Sequence, residues 1–133
     1  MKIPEAGKIY SVNEANACTW DDQVAAYFAS LKTPPKPAYS SRYIGSMVAD
    51  VHRTLLYGGI FAYPADRSSG KGKLRMLYEC FPMALLIEAA GGRAIDSRGS
   101  RMLDVLPAGI HDRSAIILGS PRNVCDFESF LKE

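Results

Sequence analysis

A basic loop at residues 67–73 contains the residue types that proteins use to bind phosphate. Arg67, Lys71 and Lys73 surround two glycines, and Arg75 follows shortly after. Glycine lets backbone amides approach an anion, lysine supplies a point charge, and a following helix adds its positive end. The loop is not a Walker loop, because the first glycine and the terminal Ser or Thr of that motif are missing. The pattern indicates either a phosphate site or a solvated surface loop.

Glu79 is a lone carboxylate early in a predicted helix that is otherwise apolar. A carboxylate in such surroundings needs a partner. Arg75, one turn earlier, could form a structural ion pair with it, and the local sequence favours this interpretation. Alternatively, Glu79 could bind a divalent cation together with oxygen ligands supplied elsewhere.

The segment 41–47 places Arg42 and Tyr43 before a Gly45-Ser46 turn that leads into a helix. Exposed backbone amides beside polar side chains could hold a hydroxylated, anionic ligand. The alternative is a helix cap formed by Ser46, with Tyr43 packed on the core. The two interpretations are compatible.

The histidines and cysteines give no comparable signal. His52 and His111 have no carboxylate or second histidine at i+4, so we interpret both as structural. An odd number of cysteines without a C-x-x-C pair disfavours a disulfide framework and a zinc ribbon. We expect a reducing compartment, with small buried side chains at Cys18, Cys80 and Cys125.

The elements that must position these residues begin with a strand. Polar and apolar residues alternate over 8–12, which predicts a short β-strand. Thr19 or Asp21 caps a helix that ends before Pro34-Pro35, and residues 36–41 form a proline-stiffened connector.

A second helix is predicted to begin after Ser46 and to stop at Gly58-Gly59. Its apolar face comprises Val48, Val51 and Leu55, whereas its other faces carry Asp50, His52 and Arg53. Residues 60–63 form a short buried strand, because they are apolar, favour β-structure and are bounded by glycine and proline.

The following segment combines a loop and a long helix. Residues 66–72 are predicted to form a mobile loop. Apolar residues surround nearly the whole circumference of a helix over 74–90, which predicts a buried helix, kinked near Pro82 and ending at Gly91-Gly92.

The carboxyl-terminal third continues the alternation of strands and helices. Strands are predicted over 93–95 and 115–118, and Ser120-Pro121 begins a terminal helix that runs to about Lys132. This alternation predicts an α/β fold in which a mixed β-sheet is sandwiched between helices. We expect residues 1–133 to form a single domain.

Composition excludes several classes of protein. The chain has 133 residues, 47% hydrophobic and 23% charged, which is typical of a globular domain and excludes disorder. A net charge of +2 falls short of the strongly basic surface of nucleic-acid-binding proteins. No signal-peptide pattern is visible, and the longest apolar stretch, 83–90, is interrupted by Glu88. We expect a cytoplasmic protein with neither nucleic-acid nor membrane partners.

Several stretches of the chain resemble one family of sugar phosphatases. They are KIYSVNE at 8–14, RYIGSMVADVHR at 42–53, YGGIF at 57–61, GKLRMLYEC at 72–80 and IILGS at 116–120. Together they resemble the carboxyl-terminal half of class 1 fructose-1,6-bisphosphatase. For the parent enzyme, the resemblance implies hydrolysis of fructose 1,6-bisphosphate to fructose 6-phosphate and phosphate, a step of gluconeogenesis.

The resemblance also implies roles for single residues. The 6-phosphate of the sugar would bind to Asn13, Tyr43, Tyr63 and Lys73. The sugar itself would contact the backbone of Gly45, Ser46 and Met47. Arg42 would reach across a subunit interface into the neighbouring site of a homotetramer. Arg75 would be the catalytic residue near the 1-phosphate, and Glu79 would be a ligand of the Mg²⁺ ion that polarises that phosphate.

The sequence departs from the family at two points. Asn16 stands where the family usually has tyrosine, so it could donate a hydrogen bond to the substrate but could not stack. The family's amino-terminal half, with its acidic metal-binding motif and AMP site, has no counterpart in these residues. Because Glu79 supplies only one metal ligand, we predict that the chain alone does not turn over substrate.

Two alternatives follow from these departures. The broader one is a noncatalytic assembly or regulatory module that pairs with full-length subunits through the surface around Arg42. The narrower one is half of a sedoheptulose bisphosphatase, an enzyme with a seven-carbon sugar substrate, because Asn16 leaves the sugar preference undecided.

Overall fold

Five strands form a mixed central sheet, and two more form a small separate sheet. The structure is a computed structural model that describes residues 1–33, 39–65 and 72–131. Its strands are β1 Ile9–Ser11, β2 Ser40–Ser41, β3 Ile60–Tyr63, β4 Leu74–Arg75, β5 Arg93–Ile95, β6 Arg113–Ser114 and β7 Ile116–Gly119. The large sheet has the order β2-β1-β3-β7-β5, and β4 pairs with β6.

Strand direction decides where the connecting loops emerge. β1 runs parallel to β2 and β3, whereas β7 runs antiparallel to its neighbours β3 and β5. The carboxyl ends of β1, β2 and β3 therefore open on the same edge of the sheet. The mixed sheet is confirmed, although β2 lies in the segment predicted as a connector. Two serines carry no hydrophobic alternation that would indicate a strand.

In the described parts of the chain, four α-helices cover the two faces of the sheet, which confirms the predicted layers. They are α1 Asp22–Ser30, α2 Met47–Tyr57, α3 Phe81–Ala89 and α4 Pro121–Leu131. Shorter turns are the 3₁₀ helices Glu14–Thr19 and Met102–Asp104 and the π-helical turn Met76–Cys80. No helix of the described residues is long and apolar enough to span a bilayer.

Some predicted features lie outside the described residues. They are the helix stop at Pro34-Pro35, the first half of the connector at 36–41, most of the loop at 66–72, and the helix end near Lys132. Arg67 and Lys71 of the basic loop also lie there.

Helices α1 and α4 pack on one face of the sheet through an aromatic cluster. The rings of Tyr27 and Phe28 are 5.1 Å apart, and those of Tyr27 and Phe127 are 5.0 Å apart, both edge to face. Trp20 and Tyr10 also contact Phe28. Such pairs contribute about 0.5–1.5 kcal/mol each beyond the burial of their area.

Helices α2 and α3 pack on the opposite face through smaller side chains. The buried cluster includes Val51, Phe61, Met76, Ala84, Ile87, Ala94, Ile116 and Leu118. The strand residues in this cluster alternate along β3, β5 and β7 with residues that face the aromatic cluster. The sheet is therefore buried on both faces, as its nearly continuous apolar strands predict.

The glycines between α2 and β3 stop the helix as predicted. Gly58, with φ of +78°, is the C-cap residue, and Gly59 follows with φ of +110°. A Cβ on Gly59 would lie 2.1 Å from the carbonyl oxygen of Ile9. Only glycine therefore lets the start of β3 approach β1 this closely.

The predicted helix over 74–90 begins two residues later than predicted, at Met76. Leu74 and Arg75 pair with β6, and the Met76 amide donates to the Asp112 carbonyl at 2.7 Å, so the chain there is extended. A π-helical turn then leads into α3. Pro82 lies at the start of α3 rather than inside a kinked helix, where its missing amide costs no hydrogen bond.

The predicted burial of this segment on all sides is also wrong. Leu85 is 60% exposed and Leu86 is 53% exposed, and Tyr78 in the π-helical turn is exposed as well. One side of α3 packs on the sheet, and nothing in the described residues covers the other side.

Two side chains of α2 differ from their predicted faces. Val48, assigned to the apolar face, is 64% exposed, whereas Asp50, assigned to another face, is buried. Asp50 turns inward because its carboxylate bonds to backbone amides and to Arg53. Helical periodicity cannot detect a buried charge that is satisfied by the preceding loop.

Two of the three cysteines also differ from the prediction. Cys80 is buried, as expected, but Cys18 and Cys125 are exposed. Cys18 lies in the 3₁₀ helix after β1, which has no buried residue, and Cys125 lies on an exposed side of α4.

Candidate functional site

The predicted site residues gather where the parallel strands end. Asn13 follows β1, residues 42–47 follow β2, and Tyr63 is the last residue of β3. In open α/β sheets, ligands bind beyond the carboxyl ends of the strands, where loops leave the sheet and backbone groups are free. Lys73 and Glu79, on either side of β4, approach the same edge.

A first cleft lies beside the 3₁₀ helix that follows β1. It is lined by Val12, Asn13, Asn16, Thr19, Trp20, Ala62, Tyr63, Pro64 and Lys73. The Oδ1 atom of Asn13 accepts a hydrogen bond from the Ala15 amide at 3.1 Å, which leaves its Nδ2 available to donate. The Thr19 hydroxyl donates to the Asn16 carbonyl at 2.7 Å and closes the turn that carries Asn16.

A second cleft adjoins the first and shares Tyr63 with it. It is lined by Tyr43, Gly45, Met47, Asp50, Phe61, Tyr63, Leu74 and Glu79. Residues from four separate segments of the chain, after β1, after β2, at the end of β3 and around β4, thus meet in two neighbouring clefts.

Tyr43 is half-buried against the core cluster beneath α2. Burial raises the pKa of its phenol, and the neighbouring Tyr63 and Asp50 raise it further. The hydroxyl therefore stays protonated at neutral pH and can donate a hydrogen bond to an anion. Tyr43 therefore packs on the core and also lines the second cleft, so both interpretations of this residue apply.

Glu79 does not form the predicted ion pair with Arg75. Its Oε1 atom accepts a hydrogen bond from the Arg75 backbone amide at 2.8 Å. The Arg75 guanidinium instead donates to the His111 carbonyl at 3.1 Å. The two side chains diverge because Arg75 belongs to β4 rather than to a helical turn below Glu79.

Three predicted residues line neither cleft. Arg42 is exposed, and its Nη1 donates to the carbonyl of its neighbour Ser41 at 2.9 Å. Ser46 is exposed and precedes α2, but its side chain makes no capping hydrogen bond. The third is Arg75, held by His111.

The side chains around Glu79 decide whether this chain could hold a divalent metal ion by itself. The described residues contain no group of three or more His, Cys, Asp or Glu side chains arranged to hold a metal ion. Mg²⁺ prefers six oxygen ligands in an octahedron, several of them carboxylates or waters. Glu79 alone does not fit that requirement, so the described residues of this chain do not complete a Mg²⁺ site.

Two features of the site escaped the sequence analysis. Asp50 lines the second cleft and is completely buried. Its i,i+3 spacing from Arg53 was the available signal, since such a pair can meet on one side of a helix. The sequence did not indicate that Thr19 and Trp20 line the first cleft. The 3₁₀ helix that positions them has no periodic pattern of apolar residues from which their place could be predicted.

Cys80 lies next to Glu79 but is not a nucleophile. Burial raises the pKa of its thiol to about 12, and the charge of Glu79 contributes. The thiol therefore stays protonated at neutral pH, whereas reactive cysteines have a lowered pKa. Among the described residues, the polar chemistry of the site rests on oxygen and nitrogen groups.

The comparisons with known proteins agree with this geometry. The chain matches the family model described as fructose-1,6-bisphosphatase, C-terminal domain, over residues 3–132. The chain therefore belongs to this family of sugar-phosphatase domains, which confirms the resemblance inferred from its sequence.

Individual relatives are similar over nearly the whole chain. The chain is 56% identical to fructose-1,6-bisphosphatase of Kluyveromyces lactis, over 93% of this chain and 36% of the yeast protein. It is 56% identical to the cytosolic fructose-1,6-bisphosphatase of Brassica napus, over 100% of this chain and 40% of that protein. The chain is 52% identical to the class 1 fructose-1,6-bisphosphatase of Sorangium cellulosum, over 99% of this chain and 38% of that protein. The chain thus spans less than half the length of these relatives.

Proposed function

We propose that this chain is the sugar-phosphate-binding part of a fructose-1,6-bisphosphatase. Residues 1–133 act as one domain that binds fructose 6-phosphate, or the same end of fructose 1,6-bisphosphate, without hydrolysing it alone. The observation that carries the proposal is the meeting of four chain segments in two clefts that share Tyr63. Family membership over residues 3–132 supports the same substrate class.

The first cleft suits the 6-phosphate. Its polar groups include the amide nitrogen of Asn13, the amide of Asn16, the phenol of Tyr63 and the ammonium group of Lys73. Its lining within the described residues contains no carboxylate that would repel an anion. Phosphate oxygens accept hydrogen bonds, so a cleft of donors with one cation matches them.

The second cleft suits the sugar and its 1-phosphate end. Gly45 and Met47 bring backbone to the cleft, Tyr43 offers a donor, and Glu79 would contribute one metal ligand. The backbone of Ser46, between Gly45 and Met47, belongs to the same contact. Arg75 lies outside both clefts in this chain, and its proposed catalytic role near the 1-phosphate rests on the resemblance alone.

The remaining Mg²⁺ ligands would come from the part of the enzyme that this chain does not span. The relatives are more than twice as long as the chain, so they have room for the missing carboxylates. The parent activity, hydrolysis of the 1-phosphate with Mg²⁺, therefore requires that part.

The same missing part would cover the outer surface of α2 and α3. We define this surface by its exposed apolar side chains: Val48, Leu56, Tyr57, Leu77, Tyr78, Leu85 and Leu86. Leu77 and Tyr78 immediately precede Glu79, so a segment that supplies further metal ligands to Glu79 must pass beside them. That continuity supports the catalytic half as the occupant of the surface.

An oligomeric parent and a cytosolic location complete the proposal. Arg42 is exposed and lies outside both clefts, which supports a contact with a neighbouring subunit of a homotetramer. The same exposure favours the second candidate, an assembly module that pairs with full-length subunits. The relatives from Brassica napus and Arabidopsis thaliana are named cytosolic, which supports that location.

Calorimetric titration of the chain with fructose 6-phosphate tests the proposal, with fructose and inorganic phosphate as control ligands. We expect fructose 6-phosphate to bind more tightly than either control, because it engages both clefts. A phosphate-release assay with fructose 1,6-bisphosphate and Mg²⁺ should show no turnover. Absence of binding would contradict the proposed function, and release of phosphate would contradict the need for the missing part.

A further inference from the structure

A buried ion pair behind the second cleft holds the loop that precedes α2. Asp50, in the first turn of α2, is completely buried, and its Oδ1 lies 2.7 Å from Nη2 of Arg53. The Arg53 side chain is only 15% exposed. A buried ion pair is weak evidence for a stabilising role, because the desolvation of two charges offsets their attraction. The other contacts of the pair indicate a different role.

The Asp50 carboxylate fixes the loop through backbone amides. The Ile44 amide donates to Oδ1 at 3.1 Å, and the Gly45 amide donates to Oδ2 at 3.3 Å. Gly45 has φ of +90°, which glycine adopts without strain, so backbone preference alone does not fix the loop and its support must come from hydrogen bonds. The side chain of Ser46 makes no capping bond, so the carboxylate supplies that support.

Arg53 connects the same loop to the end of β1. Its Nη2 lies 2.9 Å from the Arg42 carbonyl oxygen and 3.0 Å from the Ser11 hydroxyl oxygen. Ser11 ends β1 and leads directly into Val12 and Asn13 of the first cleft. One guanidinium group thus ties together the walls of both clefts.

The ion pair between Asp50 and Arg53 leaves one buried hydrogen-bond donor unsatisfied. The Nε atom of Arg53 is buried and has no hydrogen-bond partner among the described residues. An unsatisfied buried donor costs stability, and such groups call for an explanation beyond packing. Arg53 also balances a carboxylate that lines the second cleft and that would otherwise repel an anionic ligand.

We infer that Asp50 and Arg53 are positioning residues, which hold Tyr43 and Gly45 in the arrangement that receives the sugar phosphate. They act through the loop and not by contact with the ligand. The inference rests on the proposed function, because it assigns the pair a role at the same two clefts.

The variant Asp50→Asn tests the inference. It keeps the shape of the side chain but removes its charge and replaces one acceptor oxygen by a nitrogen that cannot accept an amide hydrogen. Glu88→Gln is the matched control, because it makes the same chemical change in the exposed pair with Arg101. The readouts are fructose 6-phosphate affinity by calorimetry and hydrogen exchange at single backbone amides.

We expect Asp50→Asn to lose about tenfold or more in affinity, because a small misplacement of contact groups has large effects. Exchange at the Ile44 and Gly45 amides should become faster. The Gly58 amide, which donates to the Thr54 carbonyl at the end of α2, should stay as protected as before. The control variant should change none of these values.

Arg53→Lys is the second variant, and it decides the question if Asp50→Asn does not fold. Lysine keeps the charge but cannot reproduce the guanidinium contacts with Ser11, Arg42 and Asp50 together, so we expect a smaller loss of affinity. If the folded variants bind fructose 6-phosphate with unchanged affinity, the inference is overturned, whether or not amide hydrogen exchange becomes faster. The proposed function would not be affected by that result. Failure of the unaltered chain to bind fructose 6-phosphate would overturn the proposed function and the inference with it.

Discussion

The two helical layers of the protein present opposite surfaces to their surroundings. The layer of α1 and α4 buries a large aromatic cluster and leaves no large hydrophobic side chain of its described residues exposed. The layer of α2 and α3 buries smaller side chains and leaves Leu85, Leu86 and Val48 exposed. The first cleft adjoins the aromatic cluster through Val12 and Trp20, whereas the second cleft adjoins the layer of α2 and α3. The difference supports the proposal that the part of the enzyme outside this chain covers the layer of α2 and α3 and not the layer of α1 and α4.

The aromatic layer should dominate the stability of the chain. Phe28 is fully buried and contacts the rings of Tyr10, Trp20, Tyr27 and Phe127. We expect Phe28→Ala to lower the free energy of unfolding by about 3–5 kcal/mol, measured by urea denaturation. Leu85→Ala is the control, and its exposed side chain should change that free energy by less than about 0.5 kcal/mol. Equal losses would contradict the contrast between the layers.

The outer surface of α2 and α3 should control association and not folding. We expect the double variant Leu85→Asp, Leu86→Asp to weaken binding to the amino-terminal remainder of the Kluyveromyces lactis relative. The loss should be at least about 100-fold, because two buried leucines together contribute roughly 3–6 kcal/mol. Affinity would be measured by titration of the two purified parts.

The matched control for this experiment lies on the other layer. Ala26 and Ala29 are exposed on α1, and the double variant Ala26→Asp, Ala29→Asp should leave the association unchanged. Loss of binding in both double variants would mean that added negative charge, and not the apolar surface, decides the outcome.

Lys73 should matter for the ligand and not for the fold. It is exposed at the rim of the first cleft, and Lys73→Ala removes one cation from the proposed phosphate site. We expect fructose 6-phosphate affinity to fall about tenfold while the melting temperature stays within about 1 °C. Arg98→Ala removes an exposed cation elsewhere and should leave the affinity intact. Unchanged binding by Lys73→Ala would remove Lys73 from the site.

Asn16 should have the smallest effect, on the choice of sugar. A tyrosine at this position of the first cleft could stack on the ligand, which asparagine cannot. We expect Asn16→Tyr to raise the affinity for fructose 6-phosphate about twofold to fivefold relative to sedoheptulose 7-phosphate, as is usual for one added contact. Titration with both sugars measures the ratio. A fall in the ratio would mean that Asn16 itself favours fructose 6-phosphate, which would contradict this expectation.

Sequence reasoning succeeded where a local pattern decides the structure. Apolar runs bounded by glycine or proline predicted β3 and β7, and the start of α4 followed from Ser120-Pro121. The family resemblance predicted which residues lie together in the first cleft. It assigned Asn13, Tyr63 and Lys73 to one phosphate site although they are far apart in the chain. No periodicity within the chain could place those three side chains side by side.

Sequence reasoning failed where contacts between residues distant in the chain override the local preference for one type of secondary structure. The apolar segment 74–90 has a strong helical pattern, yet pairing with β6 keeps Leu74 and Arg75 extended and separates Arg75 from Glu79. The inward turn of Asp50 depends on amides of the preceding loop, which no helical pattern reports. The exposed side of α3 could not be foreseen either, since an all-apolar helix is equally compatible with burial by a partner.

The ends of the parallel strands have a consequence for how this protein family can diversify. Asn13 lies two residues beyond β1, and Tyr63 is the last residue of β3. Their side chains can be exchanged, and the turns around them lengthened, while the hydrogen-bonded ladder of the sheet keeps its register. If the two clefts bind the substrate as proposed, its preference can change over evolutionary time through single replacements at this edge, without passing through unfolded intermediates.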